Sequence, residues 1–483
     1  MNSRVFIAKN RILFFLIITF VFFVFRLQHL EAIPVFGDEA IYLRWSQLIR
    51  HLPQLRFIPQ SDGKQPLFMW LTAISMKYIP DPLLAGRLIS ILAGFVILLA
   101  LFYISLIFFN LTTAYIAIIL YLFLPLAFFY DRLALADNLL SSFALLCLFF
   151  SFLLAKFPRL DISFLLGFSL GLAWLSKSPA VYFLTLALPT FLFLNPRPFR
   201  QIYLPLISLF IAYLIYNILR LGPDFHLIAI RNRDYVWPLA EVLKHPLDPL
   251  KPHLFDIVAV YWRYLGPVIF AIFLLPKRNR LNKFYFAVVF WYLLPLLATA
   301  SLTKVFTSRY ILFTLPPLIL ILAWHLDQWH FRYKYPALFL LLLSNLVFFY
   351  RLSYDPFNLR LLPIDSGYLQ DWTSGWGIKP IAQYLIERSK SANVIVGTEG
   401  HFGTLPQGLQ IYTDRVDRLT VIGVGLGFTS LPQSLINAKN FGDEVYLLIN
   451  QSRLFLNSVD LSKINPVIIY PKPNQDKLIL FSL

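Results

Sequence analysis

"LLAGRLISILAGFVILLALFYISLIFF", residues 83–109, carries a single charge, Arg87, over its whole length. A helix needs about 20 predominantly apolar residues to cross the hydrocarbon core, where every backbone polar group must be satisfied within the segment. The stretch is long enough and predicts a membrane-spanning helix. Outward from it, similar runs recur at 12–25, 114–130, 139–155, 162–176, 180–195, 202–219, 262–275, 284–301, 310–326 and 336–350. With 83–109 that makes about 11 spans. The whole chain agrees: of 483 residues, 58% are hydrophobic and 14% charged, against about a quarter charged in a soluble domain.

The net charge of +17 is distributed along the chain. Arg4, Lys9 and Arg11, then Lys156 and Arg159, Arg197 and Arg200, Lys277, Arg278, Arg280 and Lys283, and Arg332 and Lys334 fall in short connectors. The positive-inside rule then puts the N-terminus in the cytoplasm. Residues 26–82, 131–138, 177–179, 220–261, 302–309 and all beyond 350 are expected outside. No basic block is long enough for nucleic acid, which excludes that partner. Arg44, Arg50, Arg56, Arg231 and Arg233 in the long outer loops point to an anionic one.

Cys147 is the single cysteine, so no intramolecular disulfide forms; inside an apolar run it reads as filler. The 8 histidines are scattered without an HExxH or paired Cys/His spacing, so no dedicated zinc site is expected. The first run is read as a retained span, because Phe25-Arg26-Leu27-Gln28 offers no small-residue cleavage site.

The composition changes after about residue 370. "GIKPIAQYLIERSK" has helical spacing; "NVIVGTE", "RLTVIGVG", "EVYLLIN", "NPVIIY" and "KLILFSL" read as strands, and "SLINAKN" as a helix between them. The expected organisation is a mainly α, polytopic membrane domain over 1–350, a linker over 351–369 and an extracytoplasmic α/β domain over 370–483. "GVGLG" at 423–427 reads as a glycine-rich turn, since no helix pattern follows as a nucleotide loop requires.

The charged residues of the expected outer face fall in "FGDEAIYLRW" (36–45), "SDGKQPLFMWL" (61–71), "YDRLALADNLL" (130–140), "WLSKSPAVY" (174–182) and "SLTKVFTSRYILFTLPP" (301–317). Charges at membrane depth are expensive and face a cavity or pair with one another. The bland alternative is that Lys64, Arg87, Arg132, Lys177, Lys304 and Arg309 snorkel to headgroups. Cations at the bilayer boundary suit a phosphate whose tail lies in lipid, and a carboxylate beside them suits a general base. Together they describe a transferase acting on a lipid-phosphate-linked donor; spacing alone does not name the transferred group.

The ordered set Gly-Asp-Glu (37–39), Lys-Gln-Pro-Leu-Phe-Met-Trp-Leu (64–71), Gly-Arg-Leu-Ile-Ser (86–90), Asp-Arg-Leu-Ala-Leu-Ala-Asp (131–137), Gly-Leu-Ala-Trp-Leu-Ser-Lys-Ser-Pro (171–179) and Ser-Arg-Tyr (308–310) resembles the membrane glycosyltransferases of the GT-C fold. The nearest groups are the bacterial protein O-mannosyltransferase-like enzymes and the transferase that adds aminoarabinose to lipid A. The resemblance covers roughly 1–350. It implies a plasma-membrane enzyme with an outward-facing site, a polyprenyl-phosphate-sugar donor, a protein, lipid or glycan acceptor, and inversion at the anomeric carbon. It places the catalytic carboxylate on Asp38 with Glu39 beside it, and donor-phosphate contacts on Lys64 and Arg309. Asp137, Arg132 and Lys177 are further outer-face residues.

Two positions depart from the family pattern. Gln65 stands where the family has proline in Lys-Pro-Pro, and Ser178 where it has glycine in Leu-Thr-Lys-Gly-Pro. No cofactor is certain on this reading; some relatives of the fold use a divalent metal with paired acids, so a metal held by Asp38, Glu39 and Asp137 stays an alternative, though none is predicted. The competing accounts are a transporter, disfavoured by the lack of an internal repeat, and a lipid-linked-sugar binding protein without transfer activity.

Overall fold

In the computed structural model of the chain, the described residues are 2–266, Phe270 and 282–483. Helices dominate. They run α1 (Asn2–Leu27), α2 (Gly37–His51), α3 (Leu67–Ser75), α4 (Pro82–Phe108), α5 (Leu111–Phe123), α6 (Pro125–Tyr130), α7 (Ala136–Lys156), α8 (Leu160–Ser176), α9 (Val181–Leu194), α10 (Tyr203–Tyr216), α11 (Phe225–Tyr235), α12 (Leu239–Lys244) and α13 (Leu250–Tyr264). Helices Lys283–Leu302, Leu315–Gln328 and Phe331–Tyr354 follow.

Among the described residues 6 helices are long and apolar enough to cross a membrane, and four shorter apolar helices, Leu13–Leu27, Leu111–Phe123, Leu160–Ser176 and Ser178–Leu194, accompany them. Ten of the expected runs therefore have a helix. Most of the run 262–275 lies outside the described residues, as do Lys277, Arg278 and Arg280. The run expected as one span at 114–130 is two helices. Leu124 takes an extended conformation (φ −82, ψ 126) before Pro125, as the residue before a proline does, and the chain restarts with proline at the first helical position.

The chain divides into two compact units: residues 1–30, 57–68 and 87–353, and residues 31–56, 69–86 and 354–483. The first is the helical bundle. Its interior holds large aromatic side chains such as Phe22, Phe68, Phe128 and Phe152, all with no exposure.

The second unit holds a five-stranded sheet of order β2-β1-β3-β5-β4, with β1 Val394–Thr398, β2 Leu419–Gly423, β3 Glu444–Asn450, β4 Asn465–Pro471 and β5 Lys477–Ser482. β1 pairs parallel with β2 and β3, and β5 antiparallel with β3 and β4. All five strands match the stretches read from sequence, as do helices Ile378–Ser389 and Gln433–Asn440. Leu435, Leu447, Ile449 and Val445 form the core of this domain. Residues 351–369, read as a linker, contain the end of helix Phe331–Tyr354 and two 3-10 turns, Pro356–Asn358 and Pro363–Tyr368. The unit also takes in α2, which sequence reasoning grouped with the membrane domain.

Candidate active site

In the helical unit, Lys64 follows the 3-10 turn Ile58–Asp62 and Gly63, whose φ is +66. A Cβ on Gly63 would lie 2.5 Å from Arg231 Cβ, so both conformation and space demand glycine. Lys64 Nζ lies 3.0 Å from Asp62 Oδ2. Asp62 Oδ1 takes Arg231, which also pairs with Asp234 at 3.0 Å. Asp62 was not singled out in the sequence, although it stands two residues before the lysine; Arg231, read as a draw for an anionic partner, is engaged by these two acids.

Gln65 is buried, and its Nε2 donates to Ser178 Oγ at 2.8 Å. Residues 64–66 and 176–179 are thereby joined, and Lys64 and Lys177 each sit next to the bonded pair. Lys177 Nζ donates to Asp137 Oδ1 at 2.5 Å. The Lys177 ammonium lies 5.3 Å from the centroid of Tyr310, and the Arg309 guanidinium carbon 5.5 Å from the same centroid. Asp137 occupies the first turn of α7, where the helix dipole favours an anion. Its side chain is buried, and Oδ2 has no hydrogen-bond partner among the described residues.

Arg132 is fully buried, donating to Ser353 Oγ at 2.6 Å and to the carbonyls of Gln28 and His29 at 2.9 and 3.0 Å. Those carbonyls directly follow α1, so the guanidinium caps that helix end. Arg87 likewise reaches the Leu30 carbonyl at 2.5 Å. Neither arginine snorkels. Lys304 is exposed, donating to the Arg233 carbonyl at 2.5 Å and lying 4.9 Å from the Trp237 ring centroid. A second buried pair has no counterpart in the sequence reading: Arg26 Nε donates to Asp131 Oδ2 at 3.0 Å, and Tyr121 and Asn138 donate to Oδ1. The available signal was Arg26 itself, a charge at the end of an apolar run that must find a partner.

In the second unit, Asp38 and Glu39 lie in the first turn of α2. Glu39 is fully buried, and its Oε2 accepts from the Phe36 backbone N–H at 3.0 Å. This is the return half of a capping box. Asp38 is half-buried. Farther along α2, Arg44 Nη1 donates to Asp414 Oδ1 at 2.6 Å, His51 Nε2 lies 2.8 Å from Asp414 Oδ2, and Gln47 Nε2 donates to the Ile411 carbonyl at 2.8 Å. Burial alone would raise the Asp414 carboxyl, but the hydrogen bonds from Arg44 and His51 hold it below the usual value.

The predicted residues thus fall in two groups. In the helical unit Lys177 pairs directly with Asp137, the Tyr310 ring lies beside both Lys177 and Arg309, and Lys64 is joined to this set through the Gln65–Ser178 bond of the neighbouring residues, with Arg132 holding a helix end. Asp38 and Glu39 belong to the other unit. Among the described residues no three His, Cys, Asp or Glu side chains gather in one place.

Residues 63–219 match the family model of dolichyl-phosphate-mannose-protein mannosyltransferases. The matched stretch contains Lys64, Arg132, Asp137 and Lys177; Asp38, Glu39 and Arg309 lie outside it. Among curated proteins no sequence matches significantly. The fold is similar over 98% of both chains to ArnT from Cupriavidus metallidurans in the apo state, at 14% identity and a TM-score of 0.62. It is similarly close to the same protein bound to undecaprenyl phosphate, at 13% identity, a TM-score of 0.61 and 98% of both chains. The oligosaccharyltransferase of Archaeoglobus fulgidus in complex with zinc and sulfate is 11% identical at a TM-score of 0.50, over 90% of this chain and 67% of that one. These matches agree with the resemblance seen in the sequence: the chain shares the fold of ArnT over 98% of its length, and residues 63–219 match the mannosyltransferase family model.

Proposed function

We propose that the protein transfers a sugar from a polyprenyl-phosphate donor to a protein, lipid or cell-envelope glycan outside the cytoplasm, with inversion at the anomeric carbon. The observation that carries this reading is the linked set in the helical unit. The Gln65–Ser178 bond and the Tyr310 ring tie Lys64, Lys177 and Arg309 to Asp137, whose second oxygen is buried and has no hydrogen-bond partner among the described residues. Cations so gathered suit a lipid-borne phosphate. The ArnT structure that holds undecaprenyl phosphate supports the donor class.

The reaction is a single displacement. The acceptor nucleophile attacks the anomeric carbon as the bond to the phosphate oxygen breaks, and polyprenyl phosphate leaves with the bonding electrons. Asp38 takes the acceptor's proton, while Lys64 and Arg309 neutralise charge on the departing phosphate. Lys177 holds Asp137 in place through the ion pair between them. Glu39 acts by capping α2. The distribution of basic connectors supports a cytoplasmic N-terminus and an extracytoplasmic α/β domain.

The test is incubation of purified protein with a panel of polyprenyl-phosphate sugars, scoring released lipid phosphate and the anomeric configuration of the product. Release with an inverted product is expected. Retention, or solute uptake into sealed vesicles with no transfer from any donor, would overturn the proposal.

A further inference from the structure

The second unit contains a pocket of about 200 Å³ whose lining includes residues 31–35, Trp376, Lys379 and Tyr412. That volume holds roughly six or seven waters at ~30 Å³ each. It falls below the ~300–1,000 Å³ that houses a drug-sized ligand, and so suits one small ring.

The walls combine flat aromatic faces with fixed polar groups. Trp376 Nε1 donates to the Leu369 carbonyl at 2.7 Å, which sets the plane of the indole. Lys379 Nζ donates to Glu31 Oε2 at 2.9 Å and to Asp81 Oδ2 at 2.7 Å, and stands 5.7 Å from the Tyr412 ring centroid. Two carboxylates against one ammonium leave a single net negative charge, which disfavours an anionic ligand. The wall 31–35 leads directly into Phe36, Gly37 and Asp38, and the Gly375 backbone N–H donates to the Val35 carbonyl at 2.8 Å. The pocket therefore shares a wall segment with the residues that open α2.

We propose that this pocket binds one uncharged sugar ring of a saccharide acceptor, the ring face lying on Trp376 and its hydroxyls bonding Glu31 and Lys379. The proposal rests on the transfer function above, for which it names the acceptor class. Aromatic side chains serve this purpose because they offer a broad apolar face beside polar partners.

The test is intrinsic fluorescence of the purified full chain titrated with methyl glucoside, methyl mannoside and methyl glucuronide into the millimolar range. A saturable change with a neutral glycoside is expected, and its loss in Trp376→Phe. Glu31→Gln removes the net negative charge, so glucuronide binding should strengthen several-fold while neutral glycosides change little. No saturable change with either neutral glycoside, a change that survives Trp376→Phe, or a wild-type preference for glucuronide would overturn the site. Because the readout is binding, a chain that binds glycosides yet transfers no sugar would overturn the proposed function and leave the pocket standing.

Discussion

Gln65 and Ser178, the two residues that depart from the family pattern, are hydrogen-bonded to each other at 2.8 Å. Two departures that looked independent in the sequence meet in the structure as a donor and an acceptor. Gln65→Ala and Ser178→Ala should each lower sugar transfer, and the double variant should lose less than the sum. A coupling of about 0.5–1.5 kcal/mol is expected for a net intramolecular hydrogen bond. Strict additivity in a double-mutant cycle on kcat/KM would count against this.

Lys177 and Asp137 form a pair in which the acid is the more buried partner, at 4% side-chain exposure against 24%. Lys177→Met strands that carboxylate, and removing one partner of a buried pair costs about 3–5 kcal/mol. Adding Asp137→Asn to Lys177→Met should recover part of the thermal stability and none of the transfer. A double variant no more stable than Lys177→Met would remove the pair from the account.

The adjacent acids of α2 should separate cleanly. Asp38→Asn should abolish transfer with an unchanged melting temperature. Glu39→Gln keeps an oxygen for the Phe36 N–H and should retain activity, whereas Glu39→Ala should cost about 1 kcal/mol as a lost cap. An inactive but stable Glu39→Gln would make both acids catalytic.

Lys472 links stability to pH. It donates to the carbonyls of Asp371 and Ser374 at 2.8 Å and to Asn450 Oδ1 at 2.5 Å. Burial pushes its ammonium from the ordinary 10.5 down to about 8, against the pull of Asp476, Glu399 and Asp371. Between those values the unfolded chain holds more protons than the folded one, so stability rises with pH across that window, by on the order of 2–3 kcal/mol. Hydrogen exchange of the β3 amides, corrected for its intrinsic pH dependence, should slow accordingly in the wild type and lose that trend in Lys472→Met.

The spans and the five strands were legible because apolar runs and turn residues are local signals. The same locality hid the partners. Nothing near Arg132 or Arg87 tells a snorkelling arginine from one turned inward onto the carbonyls after α1; the choice depends on where another helix ends. Arg44 and Asp414 stand 370 residues apart, so their pairing leaves no mark in either neighbourhood. Asp62 was readable, two residues from Lys64, but "SDGKQP" invites a reading as a turn. The buried cap made by Glu39 shows only in its contact with the Phe36 backbone N–H.

The Asp414 clasp also gives the molecule a birth order. At about 5–20 residues per second, the carboxylate that fastens Arg44 and His51 is made roughly 20–75 s after α2 itself. Throughout that interval the helix that carries Arg44 and His51 is already made but lacks the carboxylate that fastens both side chains.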